Sequence, residues 1–86
     1  MRELEKQLKA LANRRRLSIL KYLKEHREAP VGKIADEINL SFKATSKHLG
    51  VLYSADIVER DQKSLQMFYR LAADHSLAVR HTLSLL

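Results

Sequence analysis

A change in hydrophobic period in the second half of the chain is the feature that most constrains its fold. Before that change, apolar residues recur at helical spacing, as Leu4, Leu8 and Leu11 do along one stripe. Residues 57–71 are instead rich in the β-branched and aromatic side chains of strands, and helical spacing then returns. Because 86 residues offer only one hydrophobic core, we expect a single domain over residues 1–86. It is predicted to be mainly α-helical with one small β-hairpin.

Seven elements are predicted along the chain. The predicted bounds are Arg2–Ala12, Asn13–His26, Val31–Ile38 and Ser41–Ser54 for four helices, Ile57–Arg60 and Leu65–Leu71 for two strands, and Asp74–Leu86 for the last helix. The polar residues 61–64 between the strands are few enough for a hairpin turn. The order α-α-α-α-β-β-α, with a helix-turn-helix followed by a hairpin, predicts a winged helix-turn-helix fold.

Residues that favour helix ends support these boundaries. Asn13 and Ser41 are good N-cap residues for the second and fourth helices. Pro30, which is favoured at the first position of a helix, closes the loop before the third helix. Asn39 can adopt the left-handed conformation that ends a helix. We therefore expect helices joined by short turns.

The composition restricts the partners and the location of the protein. Its net charge of +6 suits a polyanion, either nucleic acid or an anionic membrane surface, and does not choose between them. No apolar run approaches the ~20 residues that span a bilayer, so we expect a soluble, cytoplasmic protein with no membrane partner. Cysteine is absent, which excludes disulfides and thiolate metal sites. Dimerisation is then the remaining way to stabilise so small a core.

The fourth helix presents two faces of different character. Its helical period directs Phe42, Thr45, Leu49 and Leu52 towards the core. The opposite face is small or cationic, and no acidic residue lies between residues 38 and 55 to repel phosphate. Such a face suits the major groove of DNA, although its lysines could also be simply solvated. The candidate DNA-contacting residues on this helix are Ser41, Lys43, Ala44, Ser46, Lys47 and His48.

Two other basic segments are candidates for contact with DNA. Near the hairpin turn, Gln62 and Lys63 could reach the minor groove or the backbone with support from Arg60, or the turn could be merely solvated. The run 14–16 places three arginines in the first turn of the second helix, where cations oppose the helix dipole. They could bind phosphate together with the helix N-terminus. Alternatively, one arginine forms an internal ion pair and the others are solvated.

Four motifs resemble, in the same order, those of the ArsR/SmtB family of bacterial and archaeal repressors. Leu8–Asn13 followed by Arg16–Leu20 is similar to the family's LKALADPTRLRIL, Ile34–Ser41 to LAEALGLS, Thr45–Leu52 to VSHHLKVL, and Ile57–Val58 with Phe68–Leu71 to GLV and YYRL. The resemblance spans residues 8–71. It implies a homodimer, joined through its first and last helices, that binds an inverted-repeat operator and blocks transcription. The expected dimer-interface residues are the leucines Leu4, Leu8, Leu11, Leu77 and Leu83.

The chain departs from the metal-sensing members of that family. Their cysteine positions on the third helix are matched here by Pro30 and Gly32. Other members bind zinc between their last helices, but Asp74, His75 and His81 lack the paired ligands that such a site needs. We therefore predict no metal and no cofactor.

The residues for catalysis are also missing. There is no cysteine nucleophile and no Gly-rich phosphate loop, and Ser46 and His48 lie two apart on one helix and so point in different directions. We predict a non-enzymatic, sequence-specific transcriptional regulator that binds double-stranded DNA as a homodimeric repressor. The alternative is a winged helix that serves as a protein-interaction subunit or binds structured RNA. The acid-free fourth helix favours DNA, because a protein-binding module would not need it.

Overall fold

Five helices and three short strands make up the structure, a computed structural model that describes residues 1–86. In chain order they are α1 (Arg2–Leu11), α2 (Arg14–Glu25), β1 (Ala29–Pro30), α3 (Val31–Ile38), α4 (Phe42–Ser54), β2 (Val58–Lys63), β3 (Gln66–Leu71) and α5 (Leu77–Ser84). The strands form one antiparallel sheet in the order β1-β3-β2. The predicted winged helix-turn-helix fold is confirmed, with α3 and α4 as the helix-turn-helix, α4 as the recognition helix and the β2–β3 hairpin as the wing.

The predicted helix ends follow from local hydrogen bonds. The Asn13 side chain accepts a hydrogen bond from the Arg16 N–H at 3.1 Å, and the Ser41 hydroxyl accepts one from the Ala44 N–H at 3.1 Å. Each bond satisfies a backbone donor that the first turn of a helix leaves free. Asn39 has φ 57° and ψ 51°, the left-handed conformation predicted for the end of α3.

Pro30 directly precedes α3, which has its predicted bounds. It also ends a two-residue strand that was not predicted, β1, whose Ala29 and Pro30 lie opposite Tyr69 and Phe68 of β3. Proline is tolerated there because β1 is an edge strand. Two residues are too few to show a period, so the sequence did not reveal this strand.

The wing and the last helix also differ from their predicted bounds. The strands continue through the predicted turn, with Lys63 opposite Gln66, so only Ser64 and Leu65 form the tip. Ser64 has φ 56°, which closes the tight turn without a glycine. The last helix begins at Leu77 rather than Asp74, because the Ser76 hydroxyl caps it by accepting a hydrogen bond from the Val79 N–H.

The core lies where α2, α3 and α4 meet beside the sheet. Its fully buried side chains include Ile19, Leu20, Ile34, Leu49, Leu52 and Ile57. Thr45 is buried on the same side of α4, and its hydroxyl has no hydrogen-bond partner within the chain. Phe42, by contrast, was predicted to face the core but is 62% exposed. It lies in the first turn of α4 and at the edge of the apolar face, where neighbouring elements do not cover it.

No helix of the structure is both long enough and apolar enough to cross a membrane.

Candidate nucleic-acid interface

The recognition helix leaves two lysines free on its exposed side. The side chains of Lys43 and Lys47 are exposed, and neither forms an ion pair or a hydrogen bond within the chain. Ala44 and Ser46 are half-buried beside them, so the helix surface near the lysines carries only small side chains. Ser41 uses its oxygen to cap α4 but keeps its hydroxyl proton available to an acceptor. An anion could therefore approach the helix closely along this side.

His48 differs from the other candidates because a second residue holds it. The Nη1 atom of Arg16 lies 3.1 Å from Nδ1 of His48 and joins α2 to α4. Burial is the largest cause that lowers the pKa of His48, and the positive charges of Arg16, Arg15 and Lys47 lower it further. Burial and these cations therefore favour the neutral form of the ring.

The arginine run of α2 has divided roles. Arg16 forms no ion pair; it donates through Nε to the Ala10 carbonyl at 2.6 Å and through Nη2 to the Lys9 carbonyl at 3.2 Å. Both acceptors lie in the last turn of α1, so a cation there also complements the negative end of that helix dipole. The side chains of Arg14 and Arg15 remain exposed. The predicted internal ion pair is therefore wrong: one arginine is held within the chain, but by two backbone carbonyls and a histidine.

Arg60 is anchored where the wing meets the recognition helix. Its guanidinium carbon lies 3.9 Å from the ring centre of Tyr53, and Nη1 donates to the Tyr69 hydroxyl at 3.4 Å. The hydrogen bond to Tyr69 is the first cause that raises the pKa of Arg60 above its usual value. The stack on Tyr53 links the end of α4 to the start of the wing. Arg60 is therefore placed to fix the angle of the wing as well as to meet an anion.

The remaining wing residues are not equally available. Gln62 is exposed, but Lys63 forms an ion pair with Glu28 and lies 5.0 Å from the ring centre of Phe68. Lys63 is thus already partnered within the chain, and DNA would have to compete with Glu28 for it. Leu65 was predicted to begin the second strand of the wing, but it is 97% exposed at the tip of the wing. It lies there because the turn is two residues further along the chain than predicted.

One arginine joins the two strands of the wing through ion pairs. Arg70 on β3 donates to Asp61 at 2.6 Å and pairs with Glu59 at 3.3 Å, both on β2. The hydrogen bond to Asp61 is the first cause that raises the pKa of Arg70 above its usual value. These cross-strand pairs also neutralise the two carboxylates that would otherwise repel DNA from the wing.

The leucines predicted for a dimer interface separate into two groups. Leu4, Leu8 and Leu77 are exposed, as an interface requires. Leu11 and Leu83 are only 4% and 8% exposed, because they belong to the hydrophobic core of the chain. The structure corrects their assignment: they are core residues and are not exposed for contact with a second copy.

The three residues considered as metal ligands do not form a cluster. His75 places its Nε2 atom 3.0 Å from the carbonyl of Ile57, so it ties the segment before α5 to the residue that precedes β2. Neither Asp74 nor His81, which are both exposed, joins it in a group of three or more ligating side chains.

Comparison with known proteins places this geometry in context. The chain matches the family described as a helix-turn-helix domain over residues 11–61. It is 38% identical over 66 residues to the transcriptional activator HlyU of Vibrio cholerae serotype O1, an alignment that covers 77% of this chain and 60% of HlyU. The chain therefore matches less than two thirds of the length of that relative.

Solved structures agree with this match. Reduced HlyU from Vibrio cholerae superposes with a TM-score of 0.81 at 34% identity, covering 98% of this chain and 84% of that one. A homodimeric winged helix-turn-helix DNA-binding domain from Mycobacterium bovis, a possible ArsR-family transcriptional regulator, gives 0.81 at 31% identity with 96% and 73% coverage. The transcriptional repressor BigR from Xylella fastidiosa gives 0.78 at 32% identity with 98% and 80% coverage.

Proposed function

The chain belongs to the helix-turn-helix family and to its ArsR-type winged-helix transcriptional regulators, and from this premise we propose that it binds double-stranded DNA as a homodimer and represses transcription. One observation carries the proposal: α4 presents Lys43 and Lys47 exposed, unpaired and without a neighbouring acid on the same helix. Unpaired cations bind phosphate by releasing the counterions that surround DNA.

In this proposal residues 1–86 act as one DNA-binding domain. The recognition helix enters the major groove with Ser41, Lys43, Ala44, Ser46, Lys47 and His48, and the wing approaches the flanking minor groove or backbone with Arg60, Gln62 and Lys63. The small side chains of Ala44 and Ser46 let the helix lie close to the base edges. The lysines set the register of the protein on the backbone.

The homodimer is proposed to form through the exposed leucines of the terminal helices. Leu4 and Leu8 on α1 and Leu77 on α5 lie on helices that pack against each other, so they can present one apolar surface. A second copy is the simplest partner, because a two-fold dimer matches an inverted-repeat operator. The relative from Mycobacterium bovis is homodimeric.

Repression without catalysis completes the proposal. A dimer bound across a promoter blocks transcription by occupying it, and this requires no reaction and no cofactor. The protein would act in the cytoplasm, where the DNA that it regulates is found. HlyU is an activator and BigR is a repressor, so a promoter–reporter fusion is needed to establish the direction of the effect.

Fluorescence anisotropy tests the proposal. The purified protein is titrated onto labelled DNA from upstream of its own gene, against scrambled competitor, at two salt concentrations. We expect tight, salt-sensitive binding that survives the competitor. Weak binding of equal strength to both DNAs would contradict sequence-specific regulation and would direct attention to a protein partner.

A further inference from the structure

The side chain of Arg16 is held at the junction of three helices. Two of its nitrogens donate to the carbonyls of Lys9 and Ala10 at the end of α1, and a third meets Nδ1 of His48 on α4. The last carbonyls of a helix have no partner within it, so these two bonds satisfy groups that would otherwise be free. A planar guanidinium that makes two such bonds cannot rotate freely. The direction in which Nη1 points at His48 is therefore set by α1.

This geometry determines where the proton of His48 lies. A guanidinium has only donors, so the Nδ1 atom that it contacts must be an acceptor. A neutral imidazole with an acceptor at Nδ1 carries its proton on Nε2. Burial and the nearby cations disfavour the doubly protonated ring by lowering its pKa. For any neutral ring, the contact of Arg16 with Nδ1 is enough to place the proton on Nε2.

The Nε2–H of His48 is then a donor without a partner. The only hydrogen bond of this side chain within the protein is the one at Nδ1. Nε2 is not among the buried polar atoms that lack a partner, which leaves it open to solvent. It lies on the recognition helix one residue after Lys47, on the part of α4 proposed to enter the major groove.

We propose that Arg16 is a positioning residue for DNA recognition: it fixes His48 in the Nε2–H tautomer, so that α4 presents one oriented hydrogen-bond donor to an acceptor on DNA. The inference rests on the proposed function and deepens it. The acceptors in the major groove are N7 and O6 of guanine, N7 of adenine and O4 of thymine, and phosphate oxygens offer the same chemistry. A histidine without Arg16 would interchange its tautomers and present a donor only part of the time.

The first test needs no DNA. Two-bond ¹H–¹⁵N NMR correlations of the imidazole distinguish the tautomers in the free protein. We expect the Nε2–H pattern in the wild type and a mixture of tautomers in Arg16→Met, which keeps the side-chain stem but removes the donors. Arg15→Met is the matched control, because Arg15 is exposed and makes no hydrogen bond to the ring, and it should leave the tautomer unchanged. A wild-type ring protonated on Nδ1 would overturn the proposal.

The second test separates the two ring nitrogens and does not depend on Arg16→Met remaining folded. In His48→Asn the amide oxygen can accept from Arg16, but no donor remains at the position of Nε2. In His48→Gln the amide can place a donor near Nε2. On a duplex that the wild type selects from a random library, the homodimer of His48→Asn should bind about 5- to 150-fold more weakly, the loss of one neutral hydrogen bond in each subunit, whereas His48→Gln should retain most of the affinity.

The outcomes distinguish the source of the acceptor and the two proposals. A loss by His48→Asn that disappears when a purine N7 is replaced by carbon assigns the acceptor to that base. An equal loss on scrambled DNA assigns it to a phosphate. Unchanged affinity of His48→Asn refutes the donor. If the wild type binds no DNA at all, the proposed function fails, and the NMR result still reports whether Arg16 sets the tautomer.

Discussion

Replacing Lys47 by alanine is the most direct quantitative test of the proposed interface. Its ammonium group is exposed, and the substitution breaks no ion pair and no hydrogen bond within the chain. Alanine is also the best helix former, and α4 should remain intact. Any loss of affinity therefore reports on DNA and not on folding.

The magnitude follows from counterion release. Each phosphate that the protein neutralises contributes about 0.9 to the slope of log affinity against log salt. A homodimer carries two copies of Lys47, so the slope should become less negative by about 1.8. If the wild type contacts ~8 phosphates, its slope is about −7 and that of the variant about −5. Relative to 1 M salt, each lost contact costs about eightfold at 0.1 M, so the variant should bind about 60-fold more weakly there.

Anisotropy titrations at several salt concentrations measure both the slope and the affinity. Lys21→Ala is the matched control, because Lys21 is an exposed lysine on α2 beside Glu25 and Glu37, where DNA would be repelled. Lys63→Ala should have a smaller effect than Lys47→Ala, because Glu28 already neutralises Lys63. An unchanged slope for Lys47→Ala, or an equal change for Lys21→Ala, would refute the assignment of α4 to the DNA.

Three further predictions address the dimer, the core and the pH dependence of stability. Leu8→Asp should give a folded monomer by analytical sedimentation, whereas Leu11→Asp should unfold the chain by circular dichroism, because Leu8 is 49% exposed and Leu11 is 4% exposed; a folded dimer for Leu8→Asp would contradict the proposed surface. Thr45→Val should stabilise the fold by about 1 kcal/mol, or raise Tm by about 4–8 °C in calorimetry, because it removes a buried hydroxyl with no partner; a lower Tm would show that the hydroxyl is satisfied. Burial first, and then Arg16, lower the pKa of His48 from its ordinary value of 6.5, so the unfolded chain protonates this imidazole more readily than the folded chain does. The free energy of unfolding measured in urea should therefore keep the contribution of the neutral ring above pH 6.5 and decrease as the pH falls below it. His48→Asn should reduce that decrease.

The sequence by itself determined the elements whose causes are local. Helix ends depend on bonds between residues three or four apart, so Asn13 and Ser41 could be identified as caps from their type and position. The bounds of α3 and α4 and the left-handed Asn39 were predicted for the same reason. The acid-free exposed face of α4 could also be derived, because it needs only the helical period.

Only the tertiary structure decided which of those residues are free to act. Arg16 meets His48 across 32 positions of sequence, and Lys63 meets Glu28 across 35, distances over which no periodicity operates. Both contacts change the chemistry of a predicted DNA contact: one orients a donor, and the other occupies a cation. Leu11 is a core residue for a related reason, since its burial depends on how α1 packs against the rest of the chain. Burial and pairing are properties of the packed elements together, and a pattern within one element cannot contain them.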